Sequence, residues 1–208
     1  TVSTEMAAAH AGALAVETRE VDIAPLASAF GDATPFFESR EQQGNLRARL
    51  RMVLLYGAAA ERRALVLGTS NKSELLTGYY TKWGDGGADL LPLGDLYKSQ
   101  VQLLATALGV PAAICERTPT AELWEGQTDE QELGLPYAQL DQLLAALALL
   151  VVSTWLLNRG TTPWFTLIPA AFMMATTLYS LVLLLQRHIP AGNYMLVFAD
   201  CVLMLLAL

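Results

Sequence analysis

Apolar and polar residues change their spacing several times along the chain, and each change predicts an element. An alanine-rich run reaches about Ala15 with Ser3 or Thr4 near its start and Glu5 one turn in. That pattern predicts a short helix capped by a hydroxyl, its acid where the helix dipole favours it. Glu17 to Ile23 (ETREVDI) alternates as a short strand does, and Pro25, Gly31 and Asp32 predict loop and turn after it. Asn45 is placed to cap a helix from Leu46 to about Arg62. Leu50, Leu54 and Leu55 form its apolar face, and Arg47, Arg49 and Arg51 project from other sides. The run Ala64 to Gly68 (ALVLG) is too short for a helix and apolar enough for a strand buried on both faces. It runs directly into GTSNKSE, a small-residue turn opening a helix, and doubly wound sheets place ligands at such strand ends. Residues 84–95 (GDGGADLLPLGD) read as a loop, and a helix from about Tyr97 to Leu108 stops at Gly109 with Pro111 beyond. Strand, helix, strand, helix in that order predicts an α/β layer architecture.

The text then changes material. From Leu143 it reads LLAALALLVVSTWLL, then a polar turn from Asn158 to Pro163, then the 22 residues Trp164 to Leu185 without a formal charge. A bilayer core needs about 20 apolar residues per helix, so two spans are expected, with Tyr194 to Leu208 as a truncated third. Pro169 is tolerable near the start of its span, and Trp155, Trp164 and Tyr194 suit an interfacial belt. A hydrophobic soluble bundle is the competing reading, and it would leave most helix faces without polar residues to meet water. Asp200 lies within an apolar run, which points to a face turned toward other helices or to the interface.

Charge follows the same division. Of 13 Lys and Arg and 20 Asp and Glu, only Arg159, Arg187 and Asp200 fall after residue 143. Arg159 and Arg187 flank one span and leave its orientation open. A net charge of −7 argues against nucleic acid as the partner, since binding there rests on cationic neutralisation of phosphates. Cys115 and Cys201 fall one in each half without a CxxC, so two buried free thiols are expected rather than a zinc site or a disulfide. Nothing at the start has the layout of a signal peptide, and a cytoplasmic front part is expected. The chain opens at Thr1 inside a helical pattern, which hints at an upstream piece.

No GxxxxGK[ST], no GxGxxG after a strand and no HExxH occurs. Three longer blocks do carry a signal: GNLRARLRM (44–52), LVLGTSNKSELLTGYYTKWGDGGADLLPLGDLYKSQV (65–101) and RTPTAELWEGQTDEQELGLPYAQLD (117–141). In order and spacing they resemble the ammonia-dependent NAD synthetase family over about residues 21–141. The resemblance implies a partial adenine nucleotide alpha-hydrolase-like (Rossmann-like) parallel sheet in residues 1–141, and the apolar runs put α-helical transmembrane segments after it, in 142–208. It implies ATP and Mg2+ as cofactors, and activation of the deamido-NAD carboxylate as an adenylate that ammonia converts to the amide. Cations are needed there to offset crowded phosphate charge. By the same resemblance Thr69 and Thr120 contact ATP, Lys98 reaches its phosphates and Glu74 holds Mg2+. Arg49, Lys82 and Asp89 fall on the deamido-NAD side, no catalytic residue is assigned, and a homodimer is implied.

Taken singly, these residues have plainer readings. Glu74, Lys72 and Lys98 read as helix-surface residues, Arg49 as one of three basic neighbours, and Asp85 to Asp89 as a turn. The family's Ser-Gly-Gly-x-Asp-Ser phosphate loop occurs nowhere in the 208 residues, nor does the family's C-terminal segment. Little or no synthetase activity is therefore expected of this polypeptide. From Gln142 to about Leu185 the text resembles the late transmembrane helices of the carbon starvation protein family, which places that part in an inner membrane. The two resemblances meet at Leu140 to Leu144. A chimera of two gene fragments is the leading expectation, beside a transporter fragment or a ligase with a membrane tether.

Overall fold

A computed structural model describes residues 2–190 together with Val197 and Cys201. Apart from Val197 and Cys201, the expected third span, with Tyr194 and Asp200, lies outside the described residues. The chain divides into two units, residues 1–127 and 128–208.

The first unit opens with α1 (Val2–Ala13), so Ser3 and Thr4 stand inside the first helical turn rather than capping it, with Glu5 also in that turn. Ser3 is used otherwise: its hydroxyl takes a hydrogen bond from Arg117, which also pairs with Glu122. The strand expected at Glu17–Ile23 is irregular. A strand is held by the backbone of a neighbour, and the ties here are exposed side-chain pairs, Glu17 with Arg62 at 2.9 Å and Arg19 with Glu61 at 3.6 Å. The loop expected at Pro25–Asp32 is instead α2 (Ala24–Ala33). Pro25 sits in its first turn, where the missing N–H had no intrahelical partner to lose.

Helix α3 (Arg40–Arg62) begins well before Asn45. Ser39 and Gln42 form a reciprocal capping box there, and the helix closes at Arg63 in the left-handed region, φ 51°. Its buried residues are Gly44, Leu46, Ala48 and Leu50. At about 100° per residue these fall on two sides of the helix, so α3 is a central element and not an amphipathic cover. Leu55, expected on the apolar face, is exposed. A Cβ on Gly44 would stand 3.0 Å from Leu123 Cβ and 3.1 Å from Trp124 Cζ3, which marks how closely the 123–124 segment approaches.

The strand expected at Ala64–Gly68 reduces to one parallel bridge, Leu67 to Leu90. Val66 is 6% exposed, but Leu65 and Leu67 are 64% and 61% exposed, so one face is covered where two were expected. Among the described residues this bridge is the whole of the β structure. Beyond it come α4 (Lys72–Thr77), the 78–97 loop, α5 (Lys98–Ala107) and the short α6 (Ala112–Cys115). Gly109, at φ 74°, follows α5 as its sequence predicts. Cys115 is only half-buried and its thiol lies 3.5 Å from the Val110 carbonyl; Cys201 is exposed, and both are free. The expectation of two buried thiols thus fails for Cys201 and is only half met at Cys115.

The second unit contains α7 (Asp129–Leu133), α8 (Tyr137–Asn158) and α9 (Trp164–His188). Pro136 sets the start of α8, so the helix expected from Leu143 begins earlier, at Tyr137. Residues 140–144, where the sequence changes character, lie inside this helix. Leu135, Tyr137 and Leu140 form a small core with Leu133 and Leu144 against it, and the Tyr137 hydroxyl donates to Asp129 Oδ2 at 3.1 Å. The polar turn joins α8 to α9, and the two pack as an antiparallel hairpin in which Ser153 Oγ lies 2.7 Å from Thr166 Oγ1.

Candidate functional site

Two clusters in the first unit gather most of the residues expected to bind ligand. The first joins the start of α4 to the start of α5. Asn71 caps α4: its Oδ1 accepts from the Glu74 amide at 3.1 Å, and Glu74 Oε2 accepts from the Asn71 amide at 3.0 Å. Glu74 Oε1 is 3.2 Å from Lys98 Nζ, in a pair whose side chains are only 16% and 22% exposed. The backbone locks the same register, the Lys72 amide donating to the Leu96 carbonyl at 2.8 Å and the Lys98 amide to Ser73 Oγ at 2.9 Å. Lys72 Nζ pairs with Asp95 at 3.0 Å and lies 5.2 Å from the Tyr97 ring centroid. The hydrogen bond to Asp95, then its charge, raises the Lys72 pKa above the usual lysine value. Glu74 and Lys98 are thus a positioned pair, not the solvated helix residues of the plainer reading.

The second cluster is built on one stripe of α3. Residues 45, 49, 52 and 56 fall one above the other on a helix, and each meets the 81–89 loop in chain order. Asn45 Oδ1 accepts from the Thr81 hydroxyl at 2.7 Å, which is what Asn45 does in place of capping. Arg49 Nε donates to the Lys82 carbonyl at 3.2 Å. Met52 Cγ would lie 3.1 Å from a Cβ on Gly87, so only glycine leaves that approach relaxed. The Tyr56 hydroxyl donates to Asp89 Oδ1 at 3.1 Å. Inside the loop Asp85 accepts from the Thr81 amide at 2.9 Å, and Asp89 Oδ2 from the Val66 amide at 2.8 Å. Partial desolvation and then the bond to Asp89 raise the Tyr56 pKa.

The expected residues are therefore distributed unevenly. Arg49, Lys82 and Asp89 come together through the α3 stripe, and Glu74 with Lys98 through the α4 cap. Lys82 is exposed, its ammonium 5.7 Å from the Trp83 ring centroid. Thr69 is exposed in the turn that follows the bridge, and Thr120 accepts from the Glu122 amide at 3.1 Å; neither joins a cluster through a hydrogen bond. Sequence reasoning missed Asn71, Ser73, Tyr56 and Asn45 as supports. Asn-x-x-Glu at 71–74 was a readable capping signature, whereas Tyr56 carried no local signal.

The described residues contain no group of three or more His, Cys, Asp or Glu placed to hold a metal. Glu74 offers one carboxylate. That suits a Mg2+ that comes with nucleotide phosphates and keeps several waters, and does not make a protein-only cage.

A family model described as NAD synthase matches residues 1–153, which carries the match past residues 140–144 and into α8. The NH(3)-dependent NAD(+) synthetase of Methanosarcina mazei is 48% identical over 145 residues, 69% of this chain and 57% of that protein. That of Thermococcus kodakarensis is 49% identical over 131 residues, 63% of this chain and 52% of that protein. The chain thus spans about half the length of the curated relatives it matches. Among solved structures, the NMN synthetase of Francisella tularensis superposes with TM-score 0.66 at 42% identity, covering 68% of this chain and 59% of that one. The NH3-dependent NAD synthetase of Campylobacter jejuni gives TM-score 0.60 at 30% identity, covering 85% and 67%. These neighbours give the adenine nucleotide alpha-hydrolase fold.

Proposed function

The chain belongs to the NAD synthase family, and we propose on that premise that its first unit is part of an ATP-dependent carbon-nitrogen ligase that amidates deamido-NAD with ammonia. The observation that supports this reading best is the pair of built clusters, each of which holds residues that the family resemblance assigns to one substrate. In the α4 cluster, Lys98 supplies positive charge toward nucleotide phosphates and Glu74 one oxygen toward Mg2+; Thr69 and Thr120, outside the cluster, contact ATP. When bound, the metal ion neutralises charge on the phosphates. Asn71 and Ser73 keep Glu74 and Lys98 in register. In the α3 cluster, Arg49 and Lys82 present cations, and Asp89 fixes the loop that carries Lys82.

That last role modifies the expectation for Asp89. Both of its oxygens already serve Val66 and Tyr56, so it shapes the deamido-NAD side first and accepts from the dinucleotide only with its remaining lone pairs. The mononucleotide acceptor is a second reading, supported by the 42% identity to the NMN synthetase structure.

Under the same reading the first unit is cytoplasmic, forms a homodimer, and has little activity alone without a Ser-Gly-Gly-x-Asp-Ser loop. The helices α8 and α9 lie in a cell membrane, and residues 140–144 mark the join of two gene fragments, the second like a carbon starvation transporter. The test is amide formation by the purified full chain from ATP, Mg2+, ammonia and either deamido-NAD or nicotinate mononucleotide. Steady turnover of either acceptor refutes inactivity and names the substrate. Binding of ATP without turnover, lost in Lys98→Ala, supports the ligase fragment; no binding of ATP by the intact chain overturns it.

A further inference from the structure

The hairpin of α8 and α9 is built inside out for water. Tyr137, Leu140 and Leu143 are buried in the first two turns of α8, but from Ala146 onward the buried positions are small or hydroxylated, Ala146 and Ser153 on α8 and Thr166, Ala170 and Thr177 on α9, with Leu181 the one large side chain among them. On α9 residues 166, 170, 177 and 181 repeat as one narrow seam. The large apolar side chains point away from it: Val151, Trp155, Phe165, Ile168, Phe172 and Tyr179 are all half or more exposed. A soluble hairpin buries the large residues and exposes the small polar ones, because the driving force is apolar area removed from water. Helices in lipid gain nothing by that, and pack through small residues and hydroxyls instead.

Other features fit the same solvent. Within Tyr137–Asn158 and Trp164–Gln186, an 18-residue stretch of each has mean hydropathy 1.9, and only 28% and 17% of those stretches is buried within the protein. At about 1.5 Å per residue each is long enough for a hydrocarbon core of about 30 Å. The hydroxyls are satisfied within the hairpin, as a medium without water requires. Ser153 donates to the Leu149 carbonyl at 2.8 Å and Thr177 to that of Met173 at 2.8 Å. Thr154 and Thr176 make the same bond one turn back. Charge is confined to the ends: Asp141 lies in the second turn of α8, and Arg159 beyond its end folds back over the Trp155 ring, 4.4 Å from the centroid.

We infer that α8 and α9 cross a lipid bilayer together as one antiparallel hairpin. Both open ends, before Tyr137 and after Gln186, lie on one face, and of the described residues the Arg159–Pro163 turn reaches the other. This rests on the membrane reading above and adds its topology. The occupant of the exposed face is lipid, because that face continues around both helices at the span of a bilayer instead of forming one patch.

The test uses the full chain expressed in bacteria, with Cys115 and Cys201 changed to alanine and one new cysteine at Gln131→Cys or Thr162→Cys. Both sites are exposed. An impermeant maleimide is applied to sealed right-side-out and inverted vesicles. The expected result is a chain that resists carbonate extraction, with the two cysteines labelled in opposite vesicle orientations. Carbonate-resistant chain with both cysteines labelled from the same side overturns the spanning hairpin while leaving membrane residence intact. Chain recovered in the soluble fraction, as a monomer or with a second copy covering the apolar face, overturns both.

Discussion

The Tyr56 hydroxyl donates to Asp89 at 3.1 Å, and the other oxygen of that carboxylate holds the Val66 amide at 2.8 Å. A side chain on α3 thus reaches, through one acid, the segment that carries the parallel bridge. Asp89→Ala leaves the Val66 N–H without its acceptor beneath the loop, at a cost of about 1–3 kcal/mol. Urea unfolding is expected to show that loss, and amide exchange at Leu67 to Leu90 to rise with it. Unchanged exchange there would remove Asp89 as the organiser of the loop.

The raised Tyr56 pKa makes an alkaline prediction. The folded protein favours the neutral phenol, so this contribution is complete below the ordinary tyrosine range and is lost as pH rises through the folded value. Tyr56→Phe is expected to flatten the alkaline limb of the stability profile, followed by chemical unfolding across that range.

At the acid end the responsible group is Glu122. A hydrogen bond from Ser3 and contacts from Arg117 lower its pKa against an opposing desolvation. Its contribution is present above the ordinary carboxylate range and disappears as pH falls through the lowered folded value. In Glu122→Gln the acid limb is expected to become shallower; an unchanged limb would show that the charge does not couple to folding.

Gly68 has no space for a side chain. A Cβ there would lie 2.5 Å from Leu91 Cδ2 and 2.6 Å from Ala88 Cβ. Gly68→Ala is expected to push the 88–91 segment away and cost about 1–3 kcal/mol, read as a lower melting temperature with loss of protection at Leu90. Gly12, which has open space around it, serves as the control: Gly12→Ala is expected to leave that protection unchanged.

A lysine at Phe172, near the middle of α9, separates the two solvents for the hairpin. In a bilayer it costs about 2.5–3.5 kcal/mol on an insertion scale, and carbonate-resistant recovery is expected to fall. A water-exposed hairpin would instead become more soluble.

Much of the helical architecture was readable locally, because capping and chain-stop signals act within four residues. The Gly109 and Pro111 stop after α5 was read from that local code, and the Asn71–Glu74 box was legible by the same rule. The boundaries that were misread, at Pro25 and Asn45, were cases where a residue type suits two positions and the neighbours chose. Strands at Glu17–Ile23 and Ala64–Gly68 were not decidable from pattern, since a strand exists only with a partner elsewhere in the chain.

The sequence alone determined the three family-like blocks, the candidate residues Thr69, Glu74, Lys82, Lys98 and Thr120, and the two apolar runs with their polar turn. The blocks and the apolar runs follow from residue identity and short-range periodicity, and the candidate residues are implied only by the family resemblance that the blocks carry. Tertiary structure alone decided that Arg49, Met52 and Tyr56 line up against the 81–89 loop and that Glu74 is paired with Lys98. It also decided that α8 and α9 turn their small residues inward. The physical reason is the same in each case: helix faces repeat in the sequence, but which segment they meet is fixed only when distant parts of the chain close on one another.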